Sequence, residues 1–149
     1  MDNHHKAVSI LLVEDNPDHA ELALRSLKNG HMLNEVFWVK DGAAALDFLY
    51  QRGPYAGAER APRPGLILLD LKLPKVDGHE VLRQVKSDPC LQKIPVVMLT
   101  TSGQSDDVAA SYGAGANGFV TKPVSFQEFV EKIKAVKLFW VLTNVPAEG

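Results

Sequence analysis

The apolar content of this chain is cut into short runs with helical stretches between them, and that alternation limits the fold more than any other feature. Val8 to Val13, Val36 to Val39, Leu66 to Leu69, Val96 to Leu99 and Phe119 to Val120 are brief and bounded by polar or turn residues, so they read as five strands. Helical patterns run from Pro17 to Lys28 with Gly30 as a stop, from Gly42 to Tyr50 behind Asp41, and from Gly78 to Lys86 behind Asp77. Two more run from Asp106 to Tyr112 behind Ser105 and onward from Phe126 behind Ser125, where a Ser or Asp oxygen can accept the first-turn N–H groups. A helix between two strands returns the chain to the same end of the sheet, so the neighbours are parallel. Strands covered by helices on both faces can be apolar throughout. The predicted architecture is α/β: a doubly wound, five-stranded parallel sheet flanked by five helices. The Pro- and Gly-rich stretch QRGPYAGAERAPRPG, from Gln51 to Gly65, is predicted to be an unusually long loop.

A chain of 149 residues with 46% hydrophobic content suits one folding unit better than two. We expect a core over about 7–137 and a C-terminal extension over about 138–149. The balance of 16 basic against 18 acidic residues, with no basic run, leaves no footprint for nucleic acid. Cys90 is the single cysteine, which excludes an internal disulfide and suits a reducing compartment. No stretch approaches the roughly 18 apolar residues of a membrane span, and the start carries no leader pattern. The expectation is a soluble, cytoplasmic protein with no membrane partner.

Ligands of open α/β sheets bind outside the carboxyl ends of the strands, so the residues that follow each run are the ones to inspect. The first run is followed by Glu14 and Asp15, the third by Asp70, the fourth by Thr100 and Thr101, and the fifth by Thr121, Lys122 and Pro123. Each alone reads as a solvated strand end or a helix cap. Together they place three carboxylates, hydroxyls and a lysine on one rim. Carboxylates so gathered repel one another unless a cation or proton sits among them. An oxygen-lined site without His or Cys points to Mg²⁺.

The segments VEDN (13–16), LLDLKLPKVDG (68–78), VVMLTTS (96–102) and GFVTKP (118–123) resemble the receiver domain of two-component response regulators. DGAAALDFLYQRGPYA (41–56), the loop after it and LFWVLTNVP (138–146) are similar to the stand-alone regulators that partner bacterial phytochromes. The resemblance implies a flavodoxin-like sheet of strand order 2-1-3-4-5. It also implies that Asp70 accepts a phosphoryl group from a sensor histidine kinase, with a bacterial phytochrome as the expected partner. Mg²⁺ (or Mn²⁺) would be held by Asp15 directly, by Glu14 through water, by Asp70 and by the backbone carbonyl of Lys72. Lys122 would neutralise charge at Asp70, Thr100 would hydrogen-bond the phosphoryl group, Phe119 would be the switch aromatic, and Pro123 would follow a cis peptide. Two departures stand out: Lys72 replaces a usual neutral or acidic residue at the mouth, and Thr101 replaces a usual Ala or Gly. Output would be protein binding, with no chemistry beyond the chain's own phosphorylation and dephosphorylation.

Two other readings compete. A phosphatase of the haloacid-dehalogenase type also forms a phosphoaspartate, but its second acid falls where this chain has Lys72. A docking module that works without phosphorylation would not need the intact acid, threonine and lysine set. Gly113 to Gly118 spells GxGxxG, yet it closes a helix and precedes a strand, which is the wrong context for a dinucleotide. The histidines 4, 5, 19, 31 and 79 show no paired metal spacing. On the last helix, Leu138, Phe139 and Leu142 fall opposite the arc that packs on the sheet. We expect them to form a homodimer interface; the alternative is a break near Lys137 with the tail folded back.

Overall fold

Successive strand residues point to opposite faces of a sheet, and each of the apolar runs is used on both. The computed structural model describes residues 9–29, 35–57, 61–100, 105–122 and 125–135. Its sheet contains β1 (Ile10–Val13), β2 (Val36–Val39), β3 (Leu66–Asp70), β4 (Val96–Thr100) and β5 (Gly118–Thr121), all parallel, in the order β2-β1-β3-β4-β5. The helices are α1 (Pro17–Asn29), α2 (Gly42–Tyr50), α3 (Gly78–Ser87), α4 (Ser105–Gly113) and α5 (Phe126–Ala135). Leu11, Val13, Ile67, Leu69, Val96 and Met98 pack with apolar residues of α2 and α3. Their neighbours in sequence, Ile10, Leu12, Leu66, Leu68, Val97 and Leu99, pack with Ala20, Ala23 and Leu27 of α1 and Phe129 of α5. The two clusters lie on the two faces of one sheet, as the doubly wound expectation requires. No helix among the described residues is long and apolar enough to cross a membrane.

The strands β3 and β4 run one residue past their apolar runs, which takes Asp70 and Thr100 into the ladder as partners of Leu99 and Thr121. Asp41 caps α2 as expected, its carboxylate accepting from Ala44 N at 2.7 Å, and Ser125 Oγ accepts from Glu128 N at 3.1 Å. Asp77 occupies the cap position of α3 but makes no capping bond; its carboxylate instead lies 3.8 Å from His79 Nδ1. Ser105 is the first residue of α4 rather than its cap. The long loop contains a 3₁₀ turn at Gly53–Tyr55, whose Tyr55 ring packs edge-on against Phe48, while Gln51 Nε2 donates to Ala61 O at 2.6 Å.

The β3–α3 connection is held by two close backbone approaches. A Cβ on Gly78 would lie 2.2 Å from the carbonyl oxygen of Asp70, and one on Gly42 would lie 1.9 Å from that of Val76. Neither contact leaves room for a side chain, and the obstructing atoms are backbone that cannot rotate away. Lys75, at φ 68°, reaches Asp41 at 3.6 Å across the same junction. Gly42→Ala should therefore cost about 2–3 kcal/mol of stability, the upper part of the overpacking range. Urea unfolding checks this, with Ala43→Gly as a helix control; an unchanged midpoint for Gly42→Ala would mean that the loop does not need this docking.

Candidate functional site

The register of β1 on β3 pairs Val13 with Leu69, so the next residues on each strand, Glu14 and Asp70, come out side by side at the carboxyl edge. The Glu14 backbone is pinned to the edge strand from both sides: its N–H donates to Val39 O at 3.1 Å, and its carbonyl accepts from Trp38 Nε1 at 2.8 Å. Asn16 stands just before α1. Its Oδ1 accepts from the N–H groups of Asp18 and His19, and its own N–H donates to Glu14 Oε2 at 3.1 Å. Carboxylate oxygens of Glu14, Asp15 and Asp70 lie within 4.8 Å of one another. Asp15 is exposed, while Glu14 and Asp70 are buried.

Lys122 enters this cluster from the end of β5. Its ammonium, 7% exposed, donates to Glu14 Oε1 at 2.9 Å and to Asp70 Oδ2 at 3.0 Å. It is no solvated lysine. Its backbone N–H donates to Thr100 O at 2.6 Å, tying its position to β4. The other oxygen of Asp70 accepts from the backbone N–H of Lys72 at 3.2 Å. The Lys72 side chain is exposed and lines, with Leu71, Asp77 and His79, an open cavity of about 170 Å³.

Burial pushes the Glu14 carboxyl up to about 7, since loss of solvent outweighs the hydrogen bonds from Lys122 and Asn16 that favour the anion, and the Asp70 charge adds to the rise. Burial acts against the Lys122 ammonium too, but the hydrogen bonds to Glu14 and Asp70 more than offset it and leave Lys122 above its ordinary value. The cluster is thus short of positive charge: one ammonium serves two buried carboxylates and has no bond to Asp15. Three carboxylates with an all-oxygen donor set and a charge deficit fit a hard divalent cation.

Thr100 is buried at the end of β4, on the same rim. Phe119, 6% exposed, is part of the core and packs against the Tyr112 ring of α4 at 5.1 Å between centroids. Thr101, Pro123, Leu138, Phe139 and Leu142 lie outside the described residues. One member of the site was missing from the sequence reading. His19, in the first turn of α1, brings Nδ1 to 3.1 Å from Lys122 Nζ and 3.8 Å from Glu14 Oε2. Its signal in the sequence is faint: it stands in the helix turn that opens beside the acid pair.

An acid whose folded value lies above its unfolded one favours folding most when protonated. The Glu14 contribution is complete below about 4.5 and is lost as pH rises through about 7. At roughly 1.4 kcal/mol per pH unit, the loss is about 3 kcal/mol. We expect the metal-free protein to lose stability between pH 5 and 8, and Glu14→Gln to flatten that slope. Urea midpoints of both proteins across the window check this; parallel curves would show that Glu14 does not titrate there.

Residues 10–134 match the response regulator receiver domain family. The chain is 45% identical over 139 residues to response regulator Rcp1 of Synechocystis sp., covering 93% of this chain and 92% of the relative. The solved structure of the bacteriophytochrome response regulator AtBRR superposes with a TM-score of 0.83 at 47% identity, covering 91% of this chain and 96% of that one. The Mn²⁺-bound form of Rcp1 superposes with a TM-score of 0.74 at 44% identity, covering 91% and 96%. The family resemblance read from the four rim motifs and the predicted 2-1-3-4-5 sheet are both borne out. The chain belongs to the response regulator receiver domain family, as a relative of Rcp1 and of the bacteriophytochrome response regulators.

Proposed function

We propose that the chain is a phosphoacceptor in a two-component relay, taking a phosphoryl group from a sensor histidine kinase onto Asp70 and signalling by binding another protein. The observation that carries this reading is the Lys122 ammonium, buried between Asp70 and Glu14 inside an all-carboxylate cluster. In the transfer the N–P bond of a phosphohistidine breaks as an Asp70 oxygen forms an O–P bond. The donor imidazole keeps the bonding electron pair and takes a proton from solvent. Such a reaction asks the protein mainly to position groups and to neutralise charge on the equatorial oxygens. Lys122 and the Lys72 N–H hold the two oxygens of Asp70 in place, and Thr100 stands at the adjacent strand end. Glu14, Asp15, Asp70 and the Lys72 carbonyl are the groups to hold Mg²⁺ or Mn²⁺, which when bound supplies the positive charge that one lysine cannot.

The likeness to bacteriophytochrome response regulators favours a bacterial phytochrome as the kinase, and a Mn²⁺-bound form of Rcp1 favours a divalent cation. The same reading makes the protein cytoplasmic, a signalling module rather than a turnover enzyme, and a homodimer through Leu138, Phe139 and Leu142.

Incubated with a small phosphodonor or a partner kinase, the unmutated protein should take up label on Asp70, and both Asp70→Asn and chelation should abolish it. Label that persists in Asp70→Asn would falsify the assignment. Mg²⁺ at about a hundred times its Kd should also raise stability by roughly 2.7 kcal/mol, and Asp15→Asn should remove most of that response. A melting temperature indifferent to Mg²⁺ and Mn²⁺ would count against the metal.

A further inference from the structure

An ammonium has three N–H donors and no acceptor, and Lys122 uses all three on the protein. They go to Glu14 Oε1 at 2.9 Å, Asp70 Oδ2 at 3.0 Å and His19 Nδ1 at 3.1 Å. Because the lysine can only donate, the facing nitrogen of His19 must accept, which leaves the ring proton on Nε2. Asn16 Oδ1, bonded to the His19 N–H at 3.2 Å, fixes the turn from which the ring reaches the ammonium.

A fully engaged ammonium has no donor left for a newcomer. Phosphoryl oxygens arriving on Asp70 can bond to Lys122 only by displacing one of its three partners, and the partners differ in what release costs. Glu14 is 1% exposed, so a carboxylate abandoned there stays buried, with the Asn16 N–H still on Oε2 but no cation facing Oε1. Asp70 carries the incoming group and stays beside the lysine. His19 accepts through a neutral nitrogen and its side chain is 36% exposed, so water can replace the lysine at Nδ1 with little loss.

We propose that His19 is a positioning residue that holds in reserve the Lys122 N–H which a phosphoryl oxygen takes up. At rest it completes the shell of the ammonium and keeps Lys122 aimed at the two buried acids; when Asp70 is phosphorylated it is the partner exchanged. The inference rests on the phosphoacceptor reading, and it gives the resting state a contact that the phosphorylated state must break.

The test uses the full chain, Mg²⁺ and beryllofluoride as the phosphoryl mimic. In ¹⁵N-labelled protein at rest, His19 should show the Nε2–H tautomer with a through-bond coupling from the Lys122 ammonium to Nδ1. Saturating beryllofluoride should abolish that coupling while the Lys122 signal persists. His19→Leu removes the competing acceptor and should bind beryllofluoride about three- to tenfold more tightly, the span of one net hydrogen bond. His19→Asn, whose Oδ1 falls close to the place of Nδ1, should return the affinity to that of the unmutated protein. A His19–Lys122 coupling that survives saturation, or an affinity unchanged or weakened in His19→Leu, overturns the proposal. If beryllofluoride binds none of the proteins, or binds Asp70→Asn as well as the unmutated chain, the phosphoacceptor reading falls and the role of His19 falls with it.

Discussion

The rim depends on one ion pair system: a single buried ammonium shared by two buried carboxylates. The pairing of Val13 with Leu69 brings Glu14 and Asp70 together at the sheet edge, and Lys122 spans the gap to both. Opposite charge alone does not make such a group favourable, because each ion has been taken out of water. The raised value of Glu14 is the direct sign of that cost. The protein groups by themselves therefore leave an electrostatic deficit at the site. A proton on Glu14 would relieve it, as would the divalent cation proposed for the site, and either would tie the charge state of the site to the stability of the fold.

Rigid surroundings keep the deficit from relaxing. Backbone contacts at Gly78 and Gly42 clamp the connection that follows Asp70 against its own strand and against α2. Trp38 and Val39 of the edge strand clamp the backbone of Glu14. On the other flank, described residues of α4 meet side chains of α3 and β5. His79 of α3 bonds to the buried Ser111 at 2.9 Å, and Phe119 of β5 packs on Tyr112. A change of charge at Asp70 thus meets a scaffold in which the neighbouring helix is attached through specific side chains.

Periodicity along the chain determined the class of fold, because whether a run is buried on one face or two is written in its local pattern. It placed the five strands, the five helices and the rim on which Glu14, Asp15, Asp70, Thr100 and Lys122 stand. Element ends were less legible. Ser105 falls inside its helix, and Asp77 leaves its cap unbonded, since an Asp side chain takes whichever partner the tertiary setting offers, here His79.

What only the tertiary structure decided lies in contacts between residues far apart in the chain. Lys122 meets Glu14 across 108 positions and His19 across 103, and no local pattern encodes which nitrogen faces which oxygen. The same holds for the elevated Glu14, whose value follows from burial and from the neighbours the register supplies. It holds for Gly42, whose lack of a side chain matters because Val76 of another segment rests on it. The sequence by itself determined which groups reach the rim; packing decided how far each is cut off from water and which partner shares its charge, and those two quantities set its chemistry.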